Sequence, residues 1–211
     1  MDSLLLSERI IASKDTLLAL VCDGVGGTKD GAFSASFAVN AMNSWFRDLS
    51  DIDCIGLRMR DEALRINNLI IKEAKEKSLD TAATFTAILF TCARYYVVHI
   101  GDTRAYSFSS SNVVEQLTVD NVSASGALTG CIGRFENPVF FYSEGDACAK
   151  MFLICSDGLY KKLDLSTVFP EIRIKHRKDV TRAIQQLAER AIKHGEKDNI
   201  SVALIVSQTE V

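Results

Sequence analysis

Three aspartates sit beside turn residues at the margins of apolar runs: Asp23-Gly24, Asp157-Gly158 and Asp198-Asn199. The first two close the runs 17–22 and 151–155, and the third opens the run 200–206. A short apolar run bounded by turn residues reads as a buried strand. Strands that share a sheet can bring carboxylates from distant parts of the chain to one edge. A carboxylate cluster with no His or Cys nearby suits a hard divalent cation such as Mg²⁺ or Mn²⁺. Asp-Gly is also a common hairpin turn, so any one of the three is more often a turn than a ligand.

The elements that must position these residues follow from periodicity. Strands are expected at 3–7, 16–22, 83–92, 95–100, 103–108, 112–117, 138–143, 150–155 and 200–206. Apolar residues at helical spacing predict helices over 31–49 (Ala35, Val39, Met42, Phe46, Leu49), 53–78 (Ile55, Met59, Ala63, Ile66, Ile70) and 178–194 (Val180, Ile184, Leu187, Ala191). Lys193 and His194 suit the negative end of the last helix, and Gly195 its left-handed cap. Consecutive strands joined by short turns imply antiparallel pairing, and paired helices argue against a doubly wound sheet. The expectation is an α+β fold with two stacked antiparallel sheets and helices outside.

Length and composition set limits. The 211 residues, 47% apolar and with only two prolines, predict one domain over 1–211 with a sizeable core. A net charge of −3 leaves no basic excess for nucleic acid. No apolar run reaches the length of a membrane span, and the N-terminus lacks the pattern of a signal peptide. None of the six cysteines forms a Cys-x-x-Cys pair, which argues against zinc and for a reducing, cytoplasmic home. His99 reads as a packed strand residue, Trp45 as core, and His176 and His194 as solvated. The basic run 173–178 reads as a solvated loop, with docking of an acidic partner the alternative.

Four segments gain meaning together: Val21-Cys22-Asp23-Gly24-Val25-Gly26-Gly27, His99-Ile100-Gly101-Asp102-Thr103-Arg104-Ala105-Tyr106, Leu153-Ile154-Cys155-Ser156-Asp157-Gly158-Leu159 and Lys197-Asp198-Asn199-Ile200-Ser201. In this order and spacing the sequence resembles the metal-dependent protein phosphatase 2C family in its bacterial form, over residues 2 to about 206. Weaker echoes lie at 82–87, 117–120 and 128–133. The resemblance implies a four-layer α/β/β/α sandwich with a two-metal site at one end. It implies hydrolysis of phosphoserine and phosphothreonine by metal-activated water, using two Mn²⁺ or Mg²⁺ ions. Asp23 would bridge them, the Gly24 carbonyl would ligate one, and Asp157 and Asp198 would complete the other site. Asp2 matches the last Asp of a family triplet, Asp102 falls near the metal water shell, and Asp120 could help Asp157 hold a weaker third ion. The turn at 101–104 also reads as an ordinary hairpin, with Asp102 and Arg104 fixing the loop. The implied partners are phosphorylated proteins and a cognate Ser/Thr kinase.

The sequence departs from the family in three places. The strand whose Arg holds the substrate phosphate has no counterpart, because the sequence starts at Met1-Asp2-Ser3. Either the chain extends upstream or this clamp is lost, which would also leave a neighbouring strand without a partner. Thr28 stands where many members have a proton-donating His. Residues 121–127 replace a flap of several dozen residues, which predicts a more open site and altered substrate selection. A phosphatase is therefore expected, with a catalytically impaired pseudophosphatase that binds phosphoproteins as the alternative.

Overall fold

The continuous apolar runs are buried on both faces, and this creates the layering. A computed structural model of the chain describes residues 1–109, 113–148, 150–172, 174 and 176–206. β1 (Asp2–Ile11) and β2 (Lys14–Asp23) form a long hairpin, closed by Ala12 and Ser13 at φ 49 and 62. Positive φ at both turn residues matches the twist that a two-residue hairpin needs. β3 (Phe85–Thr91), β4 (Arg94–Ile100) and β7 (Phe141–Asp146) complete an antiparallel sheet of order β1-β2-β3-β4-β7. A second antiparallel sheet has the order β6-β5-β8-β9, from β5 (Arg104–Ser109), β6 (Val114–Gln116), β8 (Lys150–Cys155) and β9 (Val202–Val206).

Alternation along each run sorts side chains into three cores. Leu18, Leu20 and Cys22 of β2 face α1 (Gly31–Asp48) and α2 (Ile55–Lys77), against Met42, Phe46, Met59 and Ile66. Ala19 and Val21 point the other way, into a layer between the sheets with Ile88, Val97, Phe152 and Ile154. Leu153 and Cys155 of β8 face outward and are covered by Leu159 and by Leu187 and Ala191 of α5 (Arg177–Lys193). Each fully buried large apolar side chain contributes about 1.5–3 kcal/mol. The result is the expected α/β/β/α order. At the end of α5, Gly195 takes φ +88 and Glu196 N–H donates to the Ala191 carbonyl at 3.1 Å, closing the helix as expected.

Differences from the sequence expectation are local. β1 continues past Ser7 to Ile11, because Leu4, Leu6, Glu8 and Ile10 alternate on an exposed face while Ile11 is buried. The strand expected at 138–143 lies at Phe141–Asp146, and that expected at 112–117 is reduced among the described residues to Val114–Gln116. Trp45 is half-buried at the margin of the helical core. α3 (Asp157–Tyr160) and α4 (Leu165–Val168) were not anticipated. Glycine at 101 does not close a hairpin: β4 and β5 lie in different sheets, so the turn carries the chain between layers. Its φ of +116, and a Cβ position only 2.7 Å from Thr84, both require glycine. Residues 121–127 form a tight turn, with Ser123 N–H donating to the Ala127 carbonyl at 2.8 Å. His176 and His194 are exposed; positions 173 and 175 of the basic run lie outside the described residues. No helix among the described residues is long and apolar enough to cross a membrane.

Candidate active site

Register places the first two carboxylates. Asp2 and Asp23 are cross-strand partners at the open end of the β1–β2 hairpin. The Asp23 backbone is pinned on both sides: its N–H donates to Thr84 Oγ1 at 2.9 Å, and its carbonyl accepts from Thr84 N–H at 2.8 Å. Gly24 follows where a Cβ would stand 2.7 Å from the Gly31 backbone, so only glycine lets the strand end meet the start of α1. Burial raises the Asp23 carboxyl well above the usual range; the adjacent Asp2, which shares a hydrogen bond with it, and Asp157 push it further. The N-terminal ammonium pulls the other way.

The second sheet supplies the rest. Asp157 begins α3 at the end of β8 and is buried. Ser156 ties this turn to the segment before β9, donating its N–H to the Ser201 carbonyl at 2.9 Å and accepting Ser201 N–H on Oγ at 3.0 Å. A Cβ on Gly158 would lie 2.2 Å from the Asn199 carbonyl oxygen. That close approach sets the 198–199 turn directly against the 157–158 turn. Asp198 itself is exposed, and its Oδ1 accepts the Asn199 N–H at 2.8 Å.

Asp102 and Asp120 have separate surroundings. Asp102 is half-buried; burial, then the nearby Asp157, raise its carboxyl to about 6. Its carbonyl accepts the Tyr160 hydroxyl at 2.7 Å. Asp120 is held by the Arg104 fork, with Nε at 3.0 Å from both carboxylate oxygens and a second nitrogen at 2.6 Å from Oδ2. The guanidinium also lies over the Tyr160 ring, 3.6 Å from its centre. Arg104 therefore fixes Asp120 rather than standing free. Thr28 spends its hydroxyl on the Val25 carbonyl at 2.7 Å.

His99 is fully buried and structural in its contacts, as expected. Its Nε2 donates to the Val119 carbonyl at 3.1 Å, which leaves Nδ1 to accept from the Thr86 hydroxyl at 2.8 Å. Thr86 in turn meets the Thr103 hydroxyl at 2.5 Å, so the network ties β3 to the turn that carries Asp102 into β5.

Sequence reasoning missed Lys161. Its ammonium lies 2.5 Å from Asp157 Oδ2 and also feels Asp102 and Asp198. The signal was present, because Lys161 is four residues after Asp157 and one helical turn brings i and i+4 together.

The fold thus gathers Asp2, Asp23, Asp157, Asp102 and Asp198 at one end of the sandwich. Among the described residues, no three His, Cys, Asp or Glu side chains are arranged to hold an ion as they stand. The donor chemistry nevertheless fits a hard cation. Asp2 Oδ2 and Asp157 Oδ1 are buried with no hydrogen-bond partner, and an unpartnered buried carboxylate oxygen is costly unless a cation satisfies it.

Comparison with known proteins agrees with this architecture. The protein phosphatase 2C family model matches residues 6–201, nearly the whole described chain. The chain belongs to the protein phosphatase 2C family, whose members are protein phosphatases and so hydrolases. A curated relative is the serine/threonine protein phosphatase PstP of Mycobacterium tuberculosis, 28% identical over 211 aligned positions. The alignment takes in 89% of this chain and 40% of PstP, so the chain spans less than half of that relative's length. Among solved structures, serine/threonine phosphatase Stp1 from Staphylococcus aureus superposes with a TM-score of 0.86 at 19% identity, covering 99% of this chain and 89% of that one. The catalytic domain of PstP, solved in complex with two manganese ions, gives 0.73 at 23% identity, covering 97% and 96%. At these identities the superpositions establish the fold.

Proposed function

We propose that the chain is a working phosphatase for phosphoserine and phosphothreonine in proteins, and that its metal centre is the carboxylate edge described above. Asp23, the Gly24 carbonyl, Asp157 and Asp198 would hold Mn²⁺ or Mg²⁺, with Asp2 completing the wall beside Asp23. When bound, such ions lower the pKa of water toward neutrality and offset charge on the phosphoryl oxygens. The chain's own contribution is to fix the carboxylates on strand ends and glycine contacts, so that little rearrangement accompanies reaction. The two orphaned buried oxygens, Asp2 Oδ2 and Asp157 Oδ1, carry this reading. Asp102 lies beside this group as a support; the Arg104 fork favours a structural Asp120 over a third ion site. The substrates would be phosphoproteins of a cognate Ser/Thr kinase in the cytoplasm.

A second reading is a pseudophosphatase that binds phosphoproteins without turnover. The ammonium of Lys161 on Asp157 favours it, since a cation already satisfies part of the proposed site. One experiment separates the two: hydrolysis of an aryl phosphate and a phosphothreonine peptide with Mn²⁺, with EDTA, and by Asp157→Asn. Mn²⁺-dependent turnover, abolished by EDTA and reduced at least about 100-fold in the variant, is expected. A folded protein with no turnover on either substrate would instead favour the pseudophosphatase.

A further inference from the structure

We infer that Lys161 is a tethered cation that competes with a divalent ion for Asp157, so that metal loading displaces an ammonium built into the same helical turn. The inference rests on the proposed role of Asp157 as a metal ligand. Its geometry is independent of that role. Lys161 caps α3, and its backbone N–H donates to the Asp157 carbonyl at 3.0 Å. The short helix therefore fixes the ammonium's root one turn from the carboxylate. Asp157 is 11% exposed in its side chain and Lys161 54%, so the ion pair joins a buried anion to a largely solvated cation.

The two carboxylate oxygens differ. Oδ2 carries the ammonium at 2.5 Å, while Oδ1 is buried and unpartnered. A divalent ion that engages Asp157 meets a carboxylate already partly neutralised, and it also meets repulsion from a positive charge a few ångströms away. The same ammonium lies in the field of Asp102 and Asp198, so its presence weakens attraction for an ion across the second-sheet half of the edge. The displaced side chain has somewhere to go. Lys161 stands on the wall of an open cleft of about 540 Å³, lined also by Gln116, Tyr160, Lys162, Asp164 and Ser166. Four rotatable bonds and a solvated head let the ammonium swing there without disturbing the backbone.

The test is direct Mn²⁺ titration by calorimetry on the full chain, comparing wild type with Lys161→Gln, Lys161→Arg, Lys162→Gln and Asp157→Asn. Lys161→Gln should bind Mn²⁺ about fivefold more tightly, the upper end of the scale for a charge interaction with one solvated partner. Lys161→Arg, which keeps the charge, and Lys162→Gln, which removes a neighbouring charge, should stay within twofold of wild type. A second readout is acetylation of wild-type Lys161 by acetic anhydride, followed by mass spectrometry; saturating Mg²⁺ should raise its rate, because the amine leaves Asp157. Equal or weaker Mn²⁺ affinity in Lys161→Gln, with binding lost in Asp157→Asn, overturns the competition and leaves the metal site standing. Binding that survives in Asp157→Asn overturns the ligand assignment, and the competition falls with it.

Discussion

Gly158→Ala probes how closely the second-sheet turns must approach. The new Cβ would stand 2.2 Å from the Asn199 carbonyl oxygen and 3.1 Å from its carbonyl carbon, whereas real Cβ contacts essentially never fall under 3.0 Å. The two turns must therefore part by about 0.8 Å, and the obstacle is backbone, which cannot rotate away as a flexible side chain can. Overpacking of this kind costs about 1–3 kcal/mol, which in a chain of this size lowers Tm by roughly 3–10 °C. The larger effect should be on activity. Asp157 and Asp198 are carried by the two turns that separate, and a misplacement near 1 Å can cost about 100-fold in rate. The assay is Mn²⁺-dependent aryl phosphate hydrolysis, read as kcat/KM beside a thermal melt. Gly26→Ala is the internal control, because nothing lies within 4 Å of a Cβ there, and it should leave both within twofold and about 0.5 kcal/mol. A Gly158→Ala protein with wild-type kcat/KM would refute the argument that this contact sets the carboxylate spacing.

Other expectations follow from the same geometry. Burial holds the His99 imidazole down to about 4, below its ordinary 6.5, so the folded state resists its protonation. Stability from this group is constant above pH 6.5 and falls as the pH drops from 6.5 toward 4, because only the unfolded chain takes up the proton. Urea melts should show stability lower by on the order of 2–3 kcal/mol at pH 4.5 than at 7.5 from His99 alone, and His99→Gln should remove that share of the slope; an unchanged slope counts against it. Arg104→Ala breaks the fork on Asp120 and the stack on Tyr160, and should cost about 1.5–3 kcal/mol in the same melts. Arg104→Lys should recover less than half, since an ammonium cannot make the two-pronged contact; full recovery would mean the charge alone matters.

What was legible in the sequence was what local pattern encodes. Met59, Ala63, Ile66 and Ile70 announced the buried face of α2 through spacing alone, and Asp23, Asp157 and Asp198 marked strand ends through their neighbours. The layer each strand joins was not legible, because β4 and β5 are separated by only three residues and look like a hairpin until their partners are known. Asp120 shows the same limit: the family resemblance suggested a ligand, but its pairing with Arg104 depends on where β5 runs. Lys161 was legible in principle and overlooked, because the short helix that makes it a neighbour of Asp157 has too few residues to show a period.

The carboxylates come from both plates of the sandwich, Asp2 and Asp23 from one and Asp157 and Asp198 from the other. Neither plate alone holds the full set. An ion shared across this seam would act as a clasp, binding only after the sheets have docked and drawing the docked state further from the open one by mass action. The distance between the half-sets is set by what fills the space beneath, the layer of Ile88, Val97, Phe152 and Ile154. A change of one methylene there, away from any aspartate, would open or close the clasp like a shim under a hinge.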